Sequence, residues 1–138
     1  MIKLHGSSNE NFVVLGLGRS GMTSARALNA SGANVICWDD DPEKRSLASS
    51  QGLRVTGSVS DFDWESIDRL IISPGVPHHF PSPHPIVSAA VSAGVLIDND
   101  VGLFFQSIAT ETWDKFSVQP RIVAVTGSNG KSTTASLL

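Results

Sequence analysis

The 138-residue chain carries a net charge of −3, and its 41% hydrophobic and 17% charged residues are typical of a globular protein with a real core. The weak negative charge offers no basic field for nucleic acid or an anionic membrane, no apolar run approaches the ~20 residues of a membrane span, and residues 1–5 lack the apolar core of a signal peptide. The single cysteine, Cys37, cannot form an internal disulfide, so we expect a cytoplasmic protein. The length predicts one domain with the beginning of a second.

The first predicted unit is a strand, a glycine loop, a helix and a second strand. The strand at residues 12–15 runs into Gly16-Leu17-Gly18-Arg19-Ser20-Gly21, and the helical run at 22–30 stops at Gly32. The second strand, residues 33–38, ends in three aspartates. A G-x-G-x-x-G between strand and helix, with an acidic residue about twenty positions on, indicates a Rossmann-type nucleotide-binding unit.

This unit supplies the first candidate ligand residues. A nucleotide's phosphates would lie against the helix start at Gly18, Arg19 and Ser20. Asp39 or Asp40 would face a ribose or a uracil. The third aspartate, Asp41, precedes a proline and is better explained as a helix cap. The alternative is that the glycines only allow the strand and the helix to pack tightly.

Further strands and helices are predicted up to residue 106. Phe62, Trp64 and Ile67 are spaced for one face of a short helix, which indicates core residues rather than a site. The other predicted elements are a helix at residues 42–51, strands at 53–55, 69–72 and 95–97, a helix that Pro85 begins and Gly94 closes, and a helix-compatible run at 101–105.

The strand at 69–72 ends in Ser73-Pro74-Gly75-Val76-Pro77. Ligands of open parallel sheets bind beyond the carboxyl ends of the strands, so Ser73, Pro74 and Gly75 are placed to touch whatever the glycine loop holds. A simple β-turn is the competing interpretation. The proline-rich stretch at residues 78–85 contains three histidines, but the prolines spread the side chains apart, so an exposed loop is expected instead of a metal site.

A second phosphate-binding pattern follows a polar stretch, residues 107–120, that we interpret as a linker. Residues 122–125 are predicted to form a buried strand, residues 127–130 a glycine loop, and residues 131–138 a helix. Backbone N–H groups of such a loop close around phosphate oxygens, Lys131 adds a charge on the terminal phosphates, and the Ser132 hydroxyl binds Mg²⁺. The loop is two residues shorter than the common nucleotide loop, and a plain strand-to-helix turn is the alternative.

Three stretches together resemble the N-terminal part of the Mur ligases of peptidoglycan synthesis: residues 16–21, residues 73–77, and Thr126-Gly127-Ser128-Asn129-Gly130-Lys131-Ser132-Thr133. The last is similar to that family's T-G-T-N-G-K-[ST]-T loop, whose short spacing is the family's own. The resemblance implies an α/β fold, with a Rossmann-like domain at 1–106 for the UDP end of the substrate. A linker at 107–120 would precede the first strand and P-loop of a truncated central ATPase domain at 121–138.

The resemblance also implies roles for individual residues. Arg19 and Ser20 would bind a diphosphate through backbone N–H groups, and Asp39 and Asp40 would lie by the uracil or ribose. Lys131 would be the catalytic cation on the β- and γ-phosphates of ATP, and Ser132 the Mg²⁺ ligand. The implied UDP-substrate residues are Gly18, Arg19, Ser20, Asp39, Asp40, Ser73, Pro74 and Gly75, and the implied ATP residues are Gly127, Ser128, Asn129, Gly130, Lys131, Ser132 and Thr133.

The implied activity is an ATP-dependent ligase that uses Mg²⁺ and forms an amide bond through an acyl phosphate. The closest resemblance is to members that add D-glutamate to UDP-N-acetylmuramoyl-L-alanine, and we expect a monomer. The 138 residues alone are expected to bind the UDP-sugar without turning over ATP. Two departures stand out: Ser128 replaces the usual Thr, and Gly102 stands where the family often has the Glu of D-I-E-L-F, so no role is assigned to that turn.

Three other functions remain open. A nicotinamide-dependent oxidoreductase would use the same glycine loop and Asp39 but leaves the second phosphate loop unexplained. A non-catalytic nucleotide-binding module fits the isolated 138 residues. A sister ligase that adds another amino acid would share most of these motifs.

Overall fold

The computed structural model describes residues 4–110 and 121–137. Its centre is a parallel four-stranded sheet in the order β2-β1-β3-β4, which confirms the predicted α/β class and parallel sheet. The elements are β1 (Asn11–Leu15), α1 (Arg19–Ala30), β2 (Asn34–Trp38), α2 (Pro42–Ser50), β3 (Arg69–Ile72), α3 (Pro85–Ser92), β4 (Leu96–Asp98), α4 (Asp100–Thr110) and α5 (Lys131–Ala135).

Strand β1 is buried on both of its faces. Phe12 and Val14 join a cluster with residues of α1, α2 and α4, whereas Val13 and Leu15 join a second cluster with residues of α3. Side chains of a strand alternate between the two faces, so a strand covered by helices on both sides reads as the continuous apolar run seen here. This burial fixes the height at which β1 ends and the glycine loop begins.

The direction in which successive strands are added to the sheet changes at β1, although all the strands stay parallel. The chain places β2 on one side of β1 and then crosses over to place β3 and β4 on the other side. The loops that leave β1 and β3 therefore diverge at adjacent strand ends. In open α/β sheets such a switch point opens a crevice at the carboxyl edge, which is where ligands bind.

Two local predictions for the middle of the chain were wrong. Residues 53–55 do not form a strand but a single parallel bridge between Cys37 and Val55. The next residue, Thr56, bonds through its side chain to Asp61 and the carbonyl oxygen of Ser58, and these local bonds compete with a longer ladder. The predicted short helix is two 3₁₀ turns, Val59–Asp61 and Trp64–Ser66.

The core assignment of that stretch was nevertheless correct. Phe62 and Ile67 are buried, and Trp64 is partly buried against the same cluster. The Phe62 and Trp64 rings lie 5.1 Å apart between centroids. Neither aromatic ring lines the cleft described below.

The predicted strand at 122–125 is absent from the described part of the chain. Ile122 and Val123 are 42% and 66% exposed, and residues 121–130 contain no strand. β-Branched residues favour a strand only where a neighbouring strand can pair with them, and no strand among residues 4–110 and 121–137 pairs with this run. Helix α5 is shorter than predicted and spans Lys131–Ala135.

Helix α4 is the one described element that crosses the predicted boundary between domain and linker at residue 106. That helix runs to Thr110, so the first four residues of the predicted linker continue it. The rest of the linker, with Trp113 and Phe116, lies outside the described residues. The division into domains at 1–106 and 121–138 stays a prediction.

Candidate functional site

A cleft of about 260 Å³ opens at the carboxyl edge of the sheet, at the switch point between β1 and β3. The loops after β1, β2 and β3 form its walls. It is lined by Leu15, Gly16, Gly18, Asp39, Asp40, Lys44, Ser73, Gly75, Val76, Pro77 and His84.

The glycine loop after β1 uses its three glycines differently. Gly16 has φ +90°, and a Cβ there would lie 2.8 Å from the Ser73 Cβ. A Cβ on Gly21 would lie 1.7 Å from the Gly16 carbonyl oxygen, so a side chain at either position cannot fit. Gly18 has no atom within 4 Å of such a Cβ. Close packing therefore explains Gly16 and Gly21, while Gly18 leaves open space beside the cleft.

Helix α1 begins beside this space without a side-chain cap. Its N-cap is Gly18, which has no side chain that could accept a cap hydrogen bond, and its first turn holds no acidic residue. The first N–H groups of a helix have no partner within the helix, and the helix dipole adds partial positive charge there. Arg19 and Ser20 are the first two helical residues, so their backbone N–H groups lie at this positive end. This end of the cleft suits an anion.

Asp39 is buried, with 8% of its surface exposed, and both of its carboxylate oxygens are engaged. Oδ2 accepts the backbone N–H of Leu17 at 2.6 Å and lies 3.5 Å from Lys44 Nζ, and Oδ1 accepts the N–H of Asp41 at 2.9 Å. The carboxylate therefore ties the glycine loop to the loop after β2. It lines the cleft, and both of its oxygens accept backbone N–H groups of the chain.

Asp40 differs from its neighbour because 73% of its side chain is exposed. His84 Nε2 lies 3.0 Å from Oδ2, and Trp38 Nε1 donates to Oδ1 at 3.3 Å. Burial acts to raise the pKa of Asp40, but the hydrogen bonds from His84 and Trp38, with the charges of His84 and Arg45, outweigh it and lower the pKa below its ordinary value. The cleft thus has an ionised carboxylate at the end of β2.

The loop after β3 forms the opposite wall. The Val76 N–H donates to the Ser73 carbonyl oxygen at 2.9 Å, which closes a turn, and the Ser73 hydroxyl donates to the Gly16 carbonyl oxygen at 2.7 Å. Residues 73–77 therefore form a turn that also serves as a wall of the cleft. Gly75 lines the cleft, whereas Pro74 lines a neighbouring cleft of about 380 Å³ on the β4 side.

Of the residues predicted for the UDP end, the structure brings Gly18, Asp39, Asp40, Ser73 and Gly75 around one cleft. It places Arg19 and Ser20 at the helix start and Pro74 in the neighbouring cleft.

The sequence interpretation missed two charged or titratable residues of the cleft, Lys44 and His84. His84 was assigned to an exposed loop, but it is the N-cap of α3, and its Nδ1 accepts the N–H of Ile86 at 3.2 Å. A histidine directly before a proline that starts a helix was the available signal. Lys44 is the third residue of α2, and no sequence pattern marked it as a cleft residue.

Gly102, the departure from D-I-E-L-F, lies against the Asp98 side chain. A Cβ at this position would lie 1.7 Å from Oδ1 of Asp98. The Asp98 carboxylate lies over the first turn of α4, where Oδ1 accepts the Asn99 N–H at 2.8 Å and Oδ2 lies 3.5 Å from Arg69 Nη1. A side chain at 102 would therefore require the Asp98 carboxylate to turn away from its present position.

The second phosphate loop is exposed and internally bonded. Gly127 and Gly130 have φ of +150° and +78°, which residues with side chains rarely adopt. The Lys131 ammonium donates to the carbonyl oxygens of Gly127 and Ser128 and so lies across the loop. The seven predicted ATP residues are contiguous around this turn. Among the described residues, no group of three or more His, Cys, Asp or Glu could hold a metal ion.

None of the helices in the described part of the chain has the length and apolarity needed to cross a membrane.

Comparison with known proteins gives consistent results. The family model for the Mur ligase MurD-like N-terminal domain matches residues 10–98. The chain is 51% identical, over all 138 residues, to the UDP-N-acetylmuramoylalanine–D-glutamate ligases of Cereibacter sphaeroides strain KD131 and of Roseobacter denitrificans, and it covers 30% of each. A shikimate dehydrogenase from Aquifex aeolicus matches with a TM-score of 0.54 and 18% identity, over 81% of this chain and 51% of that one, which shows a Rossmann-like fold alone.

Proposed function

This chain belongs to the Mur ligase MurD-like N-terminal domain family, and on that premise we propose that it holds the UDP end of UDP-N-acetylmuramoyl-L-alanine. The whole protein would then be an ATP-dependent ligase that adds D-glutamate to this substrate. Its relatives of 51% identity carry the name of that ligase, and the chain spans 30% of their length. The activity of the whole protein is accordingly part of the proposal.

The observation that carries the proposal is the polarity of the cleft. One end is the uncapped start of α1 beside the open space at Gly18, which suits a diphosphate. The other end is the exposed carboxylate of Asp40, which suits the hydroxyl and imide donors of a uridine. The Ser73 turn forms the wall of the cleft on the β3 side. A nucleoside diphosphate is a ligand whose two halves have these opposite requirements.

We further propose that residues 127–133 hold ATP. The two glycines with positive φ keep the turn free of side chains, and Lys131 already reaches across it. Bound ATP with Mg²⁺ would supply the phosphoryl group that activates the substrate carboxylate. Lys131 would orient and stabilise the terminal phosphates, and Ser132 would contribute one oxygen to the metal, whose other ligands are not among the described residues.

In the whole enzyme, the chain's part would be to bind and orient. The cleft would anchor the UDP end, and the resulting position of the substrate would bring its carboxylate toward the phosphate loop. The chemistry would then form an acyl phosphate that the amine of D-glutamate attacks. We propose a monomer in the cytoplasm.

The oxidoreductase alternative leaves the second phosphate loop, residues 127–133, without a purpose. The curated relatives of 51% identity carry the name of a ligase. Both observations favour the ligase over the oxidoreductase.

Calorimetric titration of the 138-residue chain with UDP-N-acetylmuramoyl-L-alanine, with NADH as the comparison, tests the proposal. We expect binding of the UDP-sugar alone, weakened by Ser73→Trp, which fills the cleft wall with an indole. NADH binding without a response to the UDP-sugar would instead support the oxidoreductase. The chain alone should release no phosphate from ATP above a Lys131→Ala control.

A further inference from the structure

The imidazole of His84 lies between two elements that meet at the cleft. Its backbone N–H donates to the Pro77 carbonyl oxygen at 2.9 Å, which ties it to the loop after β3. Its side chain is 13% exposed, although the carboxylate that it contacts is on the surface. The ring is therefore the more enclosed partner of the pair, and Asp40 is the more exposed one.

The two ring nitrogens have separate tasks. Nδ1 accepts the N–H of Ile86 and so caps α3. An acceptor nitrogen carries no proton, so in the neutral ring the proton is on Nε2. Nε2 lies 3.0 Å and 3.2 Å from the two oxygens of Asp40 and donates to that carboxylate. The cap of α3 thus determines the tautomer that faces the cleft.

We propose that His84 is a positioning residue that holds the Asp40 carboxylate in the orientation in which it accepts hydrogen bonds from the uridine of a bound nucleotide. This inference rests on the proposed function and adds to it a residue that acts through Asp40 and does not touch the ligand. Trp38 Nε1 also donates to this carboxylate, at Oδ1. A carboxylate has about four lone-pair sites, so both donors leave room for a ligand.

Two substitutions separate the tasks of the ring. In His84→Asn the amide can replace Nδ1 as the cap of α3, because Asn is a good N-cap, but it is too short to reach Asp40. In His84→Gln the amide nitrogen lies near the position of Nε2 and can donate to Asp40, but the cap is lost. If His84 served only to cap α3, His84→Gln would weaken UDP binding more than His84→Asn does.

The test measures UDP binding by calorimetry and the titration of the Asp40 carboxyl by carbon NMR. We expect His84→Asn to weaken UDP binding about fivefold, the scale of one exposed pair, and to raise the pKa of Asp40. His84→Gln should retain both properties more closely, and neither variant should change the affinity for inorganic pyrophosphate. In an Asp40→Asn background, His84→Asn should have no further effect on UDP.

Unchanged UDP affinity in His84→Asn, an equal loss for pyrophosphate, or a persistent loss in the Asp40→Asn background would each overturn the proposal. If the unaltered chain binds no UDP, the proposed function fails. The NMR titration still tests His84 in that case. If the pKa of Asp40 is the same in the unaltered chain and in His84→Asn, His84 does not hold the carboxylate, and the proposal about His84 fails as well.

Discussion

The carboxylate of Asp39 accepts the backbone N–H of Leu17 at 2.6 Å, across twenty-two positions of sequence. This bond joins the loop after β1 to the end of β2, and the second oxygen joins the same carboxylate to Asp41. An acidic residue at the place where a dinucleotide fold would contact a ribose therefore braces the glycine loop. Asp40, one residue later, is free to face a ligand.

Asp39→Ala and Asp40→Ala should separate stability from binding. Asp39→Ala leaves the N–H groups of Leu17 and Asp41 without their acceptor, and we expect a loss of about 1–3 kcal/mol in the free energy of unfolding. Asp40→Ala removes an exposed carboxylate and should cost less than about 1 kcal/mol, while it weakens UDP binding. Urea unfolding and calorimetry measure the two effects. Equal losses of stability would contradict the distinction.

The glycine loop offers a matched pair of substitutions. Gly21→Ala would push a methyl group against the Gly16 carbonyl oxygen, and we expect a loss of about 1–3 kcal/mol or a failure to fold. Gly18→Ala meets no atom within 4 Å and should fold normally, but its methyl group would occupy space beside the start of α1. Thermal unfolding should distinguish the two variants. A well-folded Gly18→Ala that binds UDP as tightly as the unaltered chain would show that phosphates do not approach there.

Ser73→Ala tests the hydrogen bond across the switch point. The hydroxyl donates to the Gly16 carbonyl oxygen at 2.7 Å, and its loss should cost about 0.5–1.5 kcal/mol and loosen one wall of the cleft. Ser92→Ala is the control, because the Ser92 hydroxyl makes a similar bond to the Ser88 carbonyl oxygen on an exposed helix. We expect only Ser73→Ala to reduce UDP affinity. A similar reduction in both variants would indicate a general effect on the fold.

Cys37 should be chemically silent in the folded chain. It is fully buried, and burial raises the pKa of its thiol from 9.0 to about 12. The folded thiol stays neutral where the unfolded thiol ionises. Its contribution to stability is therefore complete below pH 9 and decreases as the pH rises toward 12. A thiol reagent at pH 8 should label it only at the rate of unfolding, whereas rapid labelling of the native chain would contradict its burial.

The sequence predicted the elements whose signals are local. The cap at Asp41 with Pro42 after it forms as expected, with the Asp41 side chain accepting the Glu43 N–H, and β1, β2 and β3 match their apolar runs closely. Residues 122–125 have an equally strong apolar pattern but form no strand in the described chain. A strand depends on a neighbour, and pattern alone does not supply one.

The sequence predicted where the cleft lies, but not which of its aspartates is buried and which is exposed. The strand ends and the glycine loop indicated where Asp39, Asp40 and Ser73 would meet. Which aspartate is buried depends on whether its oxygens find backbone N–H groups, and that follows from the loop conformation. His84 reaches Asp40 across forty-four positions, a separation at which neither spacing nor composition carries a signal.

The contact between Asp98 and Gly102 couples two positions of the chain. A Cβ at 102 would lie 1.7 Å from Oδ1 of Asp98, so a side chain there would turn the carboxylate away from the Asn99 N–H and from Arg69 Nη1. Gly102→Ala should therefore cost more stability in the unaltered chain than in an Asp98→Ala background. Urea unfolding measures the difference, and equal losses in the two backgrounds would show that the two positions act independently.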